Sequence, residues 1–276
     1  MSKPIKLYYH DGLYFRRSLF RTLGNLFRHG TLYLPVYNAG DQLSPLLVAH
    51  LSGRSVKYAA PFSQNKLIGL GSGLAAIKPG DVVWGAGLAR PEHVKYISKG
   101  SNFRILAVRG PKTRDALLAA GHDCPEVFGD PTLLAPLVFP RQRKPKFRAG
   151  VVPEHPRIGQ FRQRKFDDGV TFIPPSLNIE DFVTQLCECD LIITSSLHAL
   201  ILADAYGVPA VPLVHPPHQA LGFDFEDYLA STGRTGRYIL DSERIDIAHA
   251  EQLAQELGAA VVNLDPLLQA FPYSSR

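Results

Sequence analysis

The stretch CDLIITSSLHALILADAYGVPAV, residues 189–211, decides the fold class. Its first six residues have the short, apolar and β-branched character of a buried strand, and residues 197–206 form an apolar segment of helical length. A buried strand that leads directly into such a helix predicts one unit of a parallel α/β sheet. Two hydroxyls and an imidazole, those of Ser195, Ser196 and His198, lie at the junction where the helix begins.

Short apolar runs alternate with helix-period segments on both sides of this junction, which extends the α/β prediction to the whole chain. Before residue 139 the predicted strands are TLYLPVY (31–37), RSVKYA (54–59), KLIGLGSG (66–73), DVVWGAGL (81–88), RILAVRG (104–110) and EVFGDP (126–131), with helices at about 42–51 and 112–121. After residue 148 they are AGVVP (149–153), GVTFIP (169–174), DLIIT (190–194) and AVPLV (210–214), with helices at about 178–187, 197–206, 223–231 and 244–257.

The chain of 276 residues is longer than most single cores, so two domains are predicted. The segment FPRQRKPKFR, residues 139–148, carries two prolines and five basic residues without periodicity and is the predicted linker. Residues 1–138 and 149–276 then form two Rossmann-like domains that face a cleft, the second with a C-terminal helix.

The composition narrows the class of protein. A hydrophobic content of 45% with 20% charged residues is typical of a globular chain rather than a disordered one. No apolar run reaches about 18 residues and the start of the chain lacks the pattern of a secretory signal, so a cytoplasmic protein is expected. The three cysteines form neither a disulfide framework nor a zinc-ligand spacing, which indicates reduced structural thiols.

The net charge of +5 comes partly from two basic clusters, and neither resembles a nucleic-acid motif. In YFRRSLFRTLGNLFRHG, residues 14–30, a helical wheel places the apolar side chains from Phe15 to Phe27 on one arc and Arg17, Arg21 and Arg28 on the other side. Such a helix could lie on an anionic bilayer surface, or it could be a domain helix with a solvated basic face.

Candidate site residues follow the predicted strands, because open α/β sheets bind ligands beyond the carboxyl ends of their strands. The expected ligand-binding residues are Asn38, Asp41, Gly71, Ser72, Gly73, Gly87, Arg109, Asp130, His155, Ser195, Ser196, Leu197 and His198. Asp41 also suits a helix N-cap, and glycines after a strand often only make a turn. The spacing of these glycines is not that of a dinucleotide site.

The start of the helix after Thr194 predicts an anion site, since the first N–H groups of a helix lack partners within it. The hydroxyls of Ser195 and Ser196 would add donors for a phosphate or a carboxylate. His198 points either into the cleft as an acid or base, or under the sheet as a hydrogen-bonded core residue. The doubled hydroxyl beside it favours the cleft.

The ordered set NAGD, GSGL, VWGAGL, AVRGPKTR, VFGDPTLL, GVVP and ITSSLHALILADAYGVP resembles the polysaccharide pyruvyl transferase family, close to its bacterial exopolysaccharide ketal pyruvate transferases. The resemblance covers about residues 35 to 232. It implies a GT-B-like fold, phosphoenolpyruvate (PEP) as the donor substrate, and a sugar of a lipid-linked repeat unit as the acceptor. If the acceptor is lipid-linked, the cytoplasmic enzyme must work near the inner leaflet of the membrane, where peripheral contact is possible; no nucleic-acid partner is expected.

The resemblance also assigns roles. It implies that Arg109, on the acceptor-side N-terminal domain, binds PEP and that His198, on the donor-side C-terminal domain, is catalytic. Many members carry an arginine where this chain has Ser196, and His155 is displaced by one position from the family's G-x-x-P-H pattern. No spacing indicates a metal, and no cofactor is expected besides the donor.

Two other functions fit the same sequence. A glycosyltransferase or sugar epimerase of this architecture would use a nucleotide sugar, and fold analogy alone does not separate it from a pyruvyl transferase. The basic clusters also fit a non-catalytic module that binds a membrane surface or a polyanion.

Overall fold

The computed structural model describes residues 3–9, 38–100, 102–241 and 244–274. These residues form two five-stranded sheets in which every strand pair is parallel, with helices between the strands. The α/β class is confirmed, and the two sheets are consistent with Rossmann-like units. The strand predicted at TLYLPVY and the cationic helix around residues 15–27 lie outside the described residues.

The first sheet has the order β2-β1-β3-β4-β5. Its strands are β1 (Ile5–Tyr8), β2 (Val56–Tyr58), β3 (Leu67–Ile68), β4 (Val82–Trp84) and β5 (Arg104–Ala107). All three residues of β4 are buried, as expected for a central parallel strand that is covered on both faces.

The second sheet has the order β10-β9-β8-β6-β7. Its strands are β6 (Phe147–Val152), β7 (Val170–Phe172), β8 (Cys189–Thr194), β9 (Ala210–Val214) and β10 (Ile239–Leu240). All five residues of β9 are buried, and β8 buries every residue except Asp190. The strand order brings the carboxyl ends of β8, β9 and β10 side by side at one edge.

The helices are α1 (Ala39–Ser52), α2 (Pro111–Ala119), α3 (Ala135–Val138), α4 (Ile158–Arg162), α5 (Ile179–Cys187), α6 (Leu197–Ala205), α7 (Phe223–Ser231), α8 (Ile247–Leu257) and α9 (Asp265–Gln269). Helix α1 begins three residues before the expected position because the Asn38 side chain accepts a hydrogen bond from Gly40 N and caps it. Gly53, with φ of 63°, ends it as a left-handed C-cap.

Several elements differ from the sequence-based expectations. The strand predicted at EVFGDP is wrong, since only a single bridge between Val108 and Phe128 forms there. Gly129, with φ of 137°, takes the chain out of strand geometry, and Asp130 then caps a short 3-10 turn. Strands β1 and β10 and helices α3, α4 and α9 were not predicted; β10 has only two residues, and these three helices have only four or five.

Two sets of contacts join helix α9 and helix α7 to the first half of the chain. The indole of Trp84 donates to the Leu267 carbonyl at 2.7 Å and packs on the Phe271 ring. Asp227 of α7 accepts hydrogen bonds from the amide and the hydroxyl of Thr113 at the start of α2. One buried apolar cluster therefore contains residues of both halves of the chain.

The predicted boundary at residues 139–148 stays a prediction. Strand β6 begins at Phe147, inside this segment, and the amides of Lys144 and Lys146 donate to the carbonyls of Cys187 and Glu188. Within the described residues, no helix combines the length and the apolar character that crossing a bilayer would need. All three cysteines are buried and free.

Candidate active site

A cavity of about 870 Å³ lies where loops after strands of both sheets meet. Residues that follow β6, β8 and β9 line it together with the start of α1 and the loop after β3. The structure brings together nine of the residues expected from the sequence: Asn38, Asp41, Gly71, Ser72, His155, Ser195, Ser196, Leu197 and His198. A volume of this size is typical of a small-molecule site.

His198 lies in the first turn of α6 and lines this cavity. Its ring packs against two glycines of the first half of the chain. A Cβ on Gly40 would lie 2.3 Å from Cγ of His198, and a Cβ on Gly71 would lie 3.0 Å from its Nε2. Nε2 is buried and has no hydrogen-bond partner among the described residues. A buried polar atom of this kind needs a partner, which a ligand or a water molecule can supply.

The start of α6 offers the donors that the sequence predicted. Ser196 is the N-cap residue, but its side chain caps no N–H of the helix. The Ser196 amide donates a hydrogen bond to Thr194 Oγ1 at 2.9 Å. The amides of the first turn of α6 therefore remain available to a bound anion, with the Ser196 hydroxyl beside them.

Asp224, near the start of α7, is a cavity residue that the sequence did not indicate. Burial raises the pKa of its carboxyl, although the nearby charges of Arg109 and His198 and backbone hydrogen bonds oppose the shift. Asp224 and His198 thus line the same cavity and are close enough to interact electrostatically. Perturbed groups in a cavity are candidates for acid–base roles.

Ser195 is held by two neighbours that the sequence analysis did not connect to it. Its Oγ accepts a hydrogen bond from the Glu154 amide at 2.8 Å and lies 2.8 Å from Nε2 of His215. Nδ1 of His215 lies 2.9 Å from Oδ2 of Asp241. His215 follows the predicted strand AVPLV, so the rule that found Ser195 could also have found it.

Arg109 does not line the cavity, and its side chain is fully buried. Its Nε donates to Asp227 at 3.1 Å, one terminal nitrogen donates to the Leu88 carbonyl, and the other donates to Ser72 Oγ at 2.9 Å. Gly87 lies against the guanidinium, where a Cβ would come within 2.5 Å of Cζ. Arg109 therefore reaches the cavity through Ser72, which is a wall residue.

Two further expected residues support the wall from behind. Both Asp130 oxygens are used within the protein, one by the Gly71 amide and the other by the amide and hydroxyl of Thr132. A Cβ on Gly73 would lie 3.1 Å from the Tyr8 ring rather than in the cavity. Both residues shape the loop that carries Gly71 and Ser72.

Arg90 supplies a guanidinium directly at the cavity. It is exposed, precedes a short 3-10 turn, and forms no ion pair with any residue that the structure describes. Arg90 was not among the residues expected from the sequence, because it lies after the GAGL loop rather than at the end of a strand. An unpaired guanidinium suits a carboxylate or phosphate ligand.

The family model described as polysaccharide pyruvyl transferase matches residues 36–216, which is more than half of the chain. The chain belongs to the polysaccharide pyruvyl transferase family. The matched range contains the loops that bring Asn38, Gly71, Arg109, Ser195 and His198 to or near the cavity. The resemblance that the sequence motifs indicated is thereby confirmed, and the chain is assigned to a family of transferases.

The likeness of this chain to solved structures is weak and adds no information about its function. A crystal structure of a functionally uncharacterised protein from Klebsiella pneumoniae subsp. pneumoniae NTUH-K2044 is similar at 11% identity, with a TM-score of 0.47 over 87% of this chain and 93% of the other. No curated protein matches the chain.

In the described ranges, no group of three or more His, Cys, Asp or Glu side chains is arranged to hold a metal ion.

Proposed function

We propose that this member of the pyruvyl transferase family moves the enolpyruvyl group of PEP onto two hydroxyls of a sugar in a lipid-linked polysaccharide repeat unit. The products are a cyclic pyruvate ketal and phosphate. The observation that carries the proposal is His198, an imidazole with a buried and unpartnered nitrogen at the start of α6, on the wall of a cavity large enough for a small anion and a sugar. A GT-B-like arrangement of two Rossmann-like domains is part of the proposal.

The donor site in this proposal lies at the start of α6. The first-turn amides and Ser196 hydroxyl would bind the phosphate or carboxylate of PEP, and Arg90 would supply the positive charge that many family members place at position 196. Arg109 contributes through Ser72, whose hydroxyl its guanidinium holds in place. Asn38 and Asp41, which line the same cavity, would contact the sugar.

His198 is the proposed acid. Protonation of the methylene carbon of PEP leaves a cation-like centre at the adjacent carbon, which a sugar hydroxyl attacks. The phosphate then leaves, and a second hydroxyl closes the ketal. The negative charges of bound PEP favour the charged imidazolium that this step requires.

Phosphate release from PEP in the presence of a panel of lipid-linked oligosaccharides tests the reaction directly. We expect release only with a suitable acceptor, and an acceptor product heavier by one pyruvyl ketal. His198→Ala should reduce turnover by about 100-fold or more, because general acid catalysis contributes on that order. His249→Ala, at an exposed position of α8, is the matched control. Near-full turnover by His198→Ala would remove the catalytic assignment.

A thermal-shift comparison separates this function from the nucleotide-sugar alternatives, because a ligand that binds only the native state raises the melting temperature. PEP should raise it, whereas UDP- and GDP-sugars should not. Arg90→Ala should weaken the effect of PEP. A shift with a nucleotide sugar and none with PEP would favour a glycosyltransferase or an epimerase.

The lipid-linked acceptor would place the enzyme in the cytoplasm at the inner leaflet of the membrane. A binding module without catalysis would instead attach to anionic liposomes or heparin and release no phosphate from PEP with any acceptor.

A further inference from the structure

Three polar residues follow three neighbouring strands of the second sheet. Ser195 follows β8, His215 follows β9, and Asp241 follows β10. They are far apart in the sequence, but the strand order places them in a row at the carboxyl edge. Ser195 and His215 both line the cavity.

The hydrogen bonds along this row have a single direction. Burial alone would raise the pKa of Asp241, but hydrogen bonds from His215 and Arg164 and the charge of Arg164 hold it below its usual range. An ionised carboxylate only accepts, so Nδ1 of His215 donates to Asp241, and Nε2 of the neutral imidazole is left as an acceptor. The Ser195 hydroxyl therefore donates to Nε2, at 2.8 Å.

The remaining bonds of Ser195 leave one site for a ligand. A serine hydroxyl has one proton and two acceptor positions. The proton is directed at His215, and one acceptor position takes the Glu154 amide. No other residue that the structure describes donates to the second acceptor position, and Ser195 lines the cavity.

The surroundings hold this row in place. His215 is only 4% exposed, and its ring packs edge-on against Phe161 at 5.6 Å. Arg164 donates to the second oxygen of Asp241 at 2.6 Å and lies over the Phe161 ring. A base whose orientation is fixed by a buried carboxylate and an aromatic ring has the arrangement that activates hydroxyls in enzymes.

We propose that Ser195, His215 and Asp241 form a proton relay that takes the proton of a substrate hydroxyl bound in the cavity. For the transfer reaction, this inference rests on the proposed function. The attacking sugar hydroxyl gives its proton to Ser195 Oγ, and Ser195 gives its own proton to Nε2 of His215. The sugar oxygen bonds to the central carbon of PEP, and His198 protonates the methylene carbon.

The protons balance over the complete reaction. The proton held by His215 leaves with the departing phosphate, and the proton of the second sugar hydroxyl restores His198. Ser195 is the catalytic residue of the relay, since it touches the substrate, and His215 and Asp241 are positioning residues that act through it.

The first test does not depend on pyruvyl transfer. A small fluorophosphonate reports a base-activated hydroxyl, since Ser195 Oγ displaces fluoride and its proton passes through His215 and leaves with the fluoride ion. Mass spectrometry of the full chain should find the adduct on Ser195. His215→Gln should slow labelling by about 100-fold and Asp241→Asn by about 10-fold or more, with His249→Gln unchanged. No adduct on Ser195, or equal rates in all variants, overturns the relay.

The second test uses phosphate release with the acceptor panel, and thermal melting first confirms that each variant is folded. Ser195→Ala, His215→Gln and Asp241→Asn should lower kcat with little change in the KM for PEP. Unchanged kcat in folded variants overturns the role in transfer. If Ser195 labels as expected but no acceptor supports phosphate release from the wild type, the proposed function fails while the activated hydroxyl stands.

Discussion

The imidazole of His198 is positioned by two glycines, one in the first turn of α1 and one after β3. At Gly40 the helical backbone approaches the ring so closely that no side chain fits. At Gly71 the backbone also takes φ of 68°, a conformation that favours glycine. The motifs NAGD and GSG therefore matter for the space they leave around His198, besides any contact with a ligand.

Gly40→Ala should displace His198 and reduce turnover, because an added Cβ would come within 2.3 Å of the ring. A shift of about 1 Å in a catalytic group can reduce the rate by roughly 100-fold. Gly159→Ala, also in the first turn of a helix but with no atom near its added Cβ, is the matched control. Equal activity of the two variants in the phosphate-release assay would show that His198 does not need this position.

Asp224 carries a stability cost that depends on pH. Its pKa is raised by burial in the folded state, whereas an unfolded aspartate has a pKa of about 3.9. Between these two values the folded state holds more protons than the unfolded state, so this group's contribution to stability falls as the pH rises.

Asp224→Asn should therefore raise the melting temperature at pH 7.5 and change it little at pH 4. The amide oxygen can still accept the hydrogen bond that Asp224 takes from Phe225 N. Scanning calorimetry of both proteins at the two pH values measures the difference. A variant that is less stable than the wild type at pH 7.5 would contradict the raised pKa.

Helix α7 joins the two halves of the chain through residues three apart on one face. Asp224 faces the cavity, and Asp227 pairs with the fully buried Arg109. Close approach is possible because Gly110 has no side chain, where a Cβ would lie 2.0 Å from the Asp227 carbonyl oxygen. Lys112 and Glu226 form a second pair between α2 and α7, at 2.5 Å, that is exposed to solvent.

These two ion pairs should differ greatly in their effect on stability. Arg109→Ala leaves the buried Asp227 carboxylate without its cation and should lower the free energy of unfolding by about 3–5 kcal/mol. Lys112→Ala removes an exposed pair and should cost at most about 1 kcal/mol. Urea denaturation of the two variants gives the comparison, and similar losses would contradict the difference in burial.

At the scale of the whole molecule, the proposed lipid-linked acceptor requires the enzyme to contact a membrane. The cationic helix expected around residues 15–27 lies outside the described residues, and its sequence suits an anionic surface. Each basic residue near such a surface contributes about 1 kcal/mol, so attachment should be weak and sensitive to salt.

Changing Arg17, Arg21 and Arg28 together to glutamine should reduce co-sedimentation with anionic liposomes at low salt. Activity on a water-soluble acceptor analogue should be unchanged, because the cavity residues are untouched. If the wild-type chain does not sediment with liposomes, or if the variant unfolds, the helix is a domain element and its charge is a solvated face.

The sequence by itself determined the α/β class, most strands and helices, and nine of the residues that line the cavity. It could do so because burial imposes a local periodicity, and because the carboxyl ends of parallel strands are where loops lead into helices. The junction at Ser195 to His198 is found from these local patterns alone. The family follows from the same junction together with the other motifs in their order.

Only the tertiary structure decided which of these residues meet. Arg109 ends a strand as expected, yet Asp227, more than a hundred residues later, turns its guanidinium into the protein. Ser195, His215 and Asp241 come together because β8, β9 and β10 are neighbours in the sheet. Strand order and helix docking are set by packing between distant segments, and the local pattern of a sequence does not contain that information.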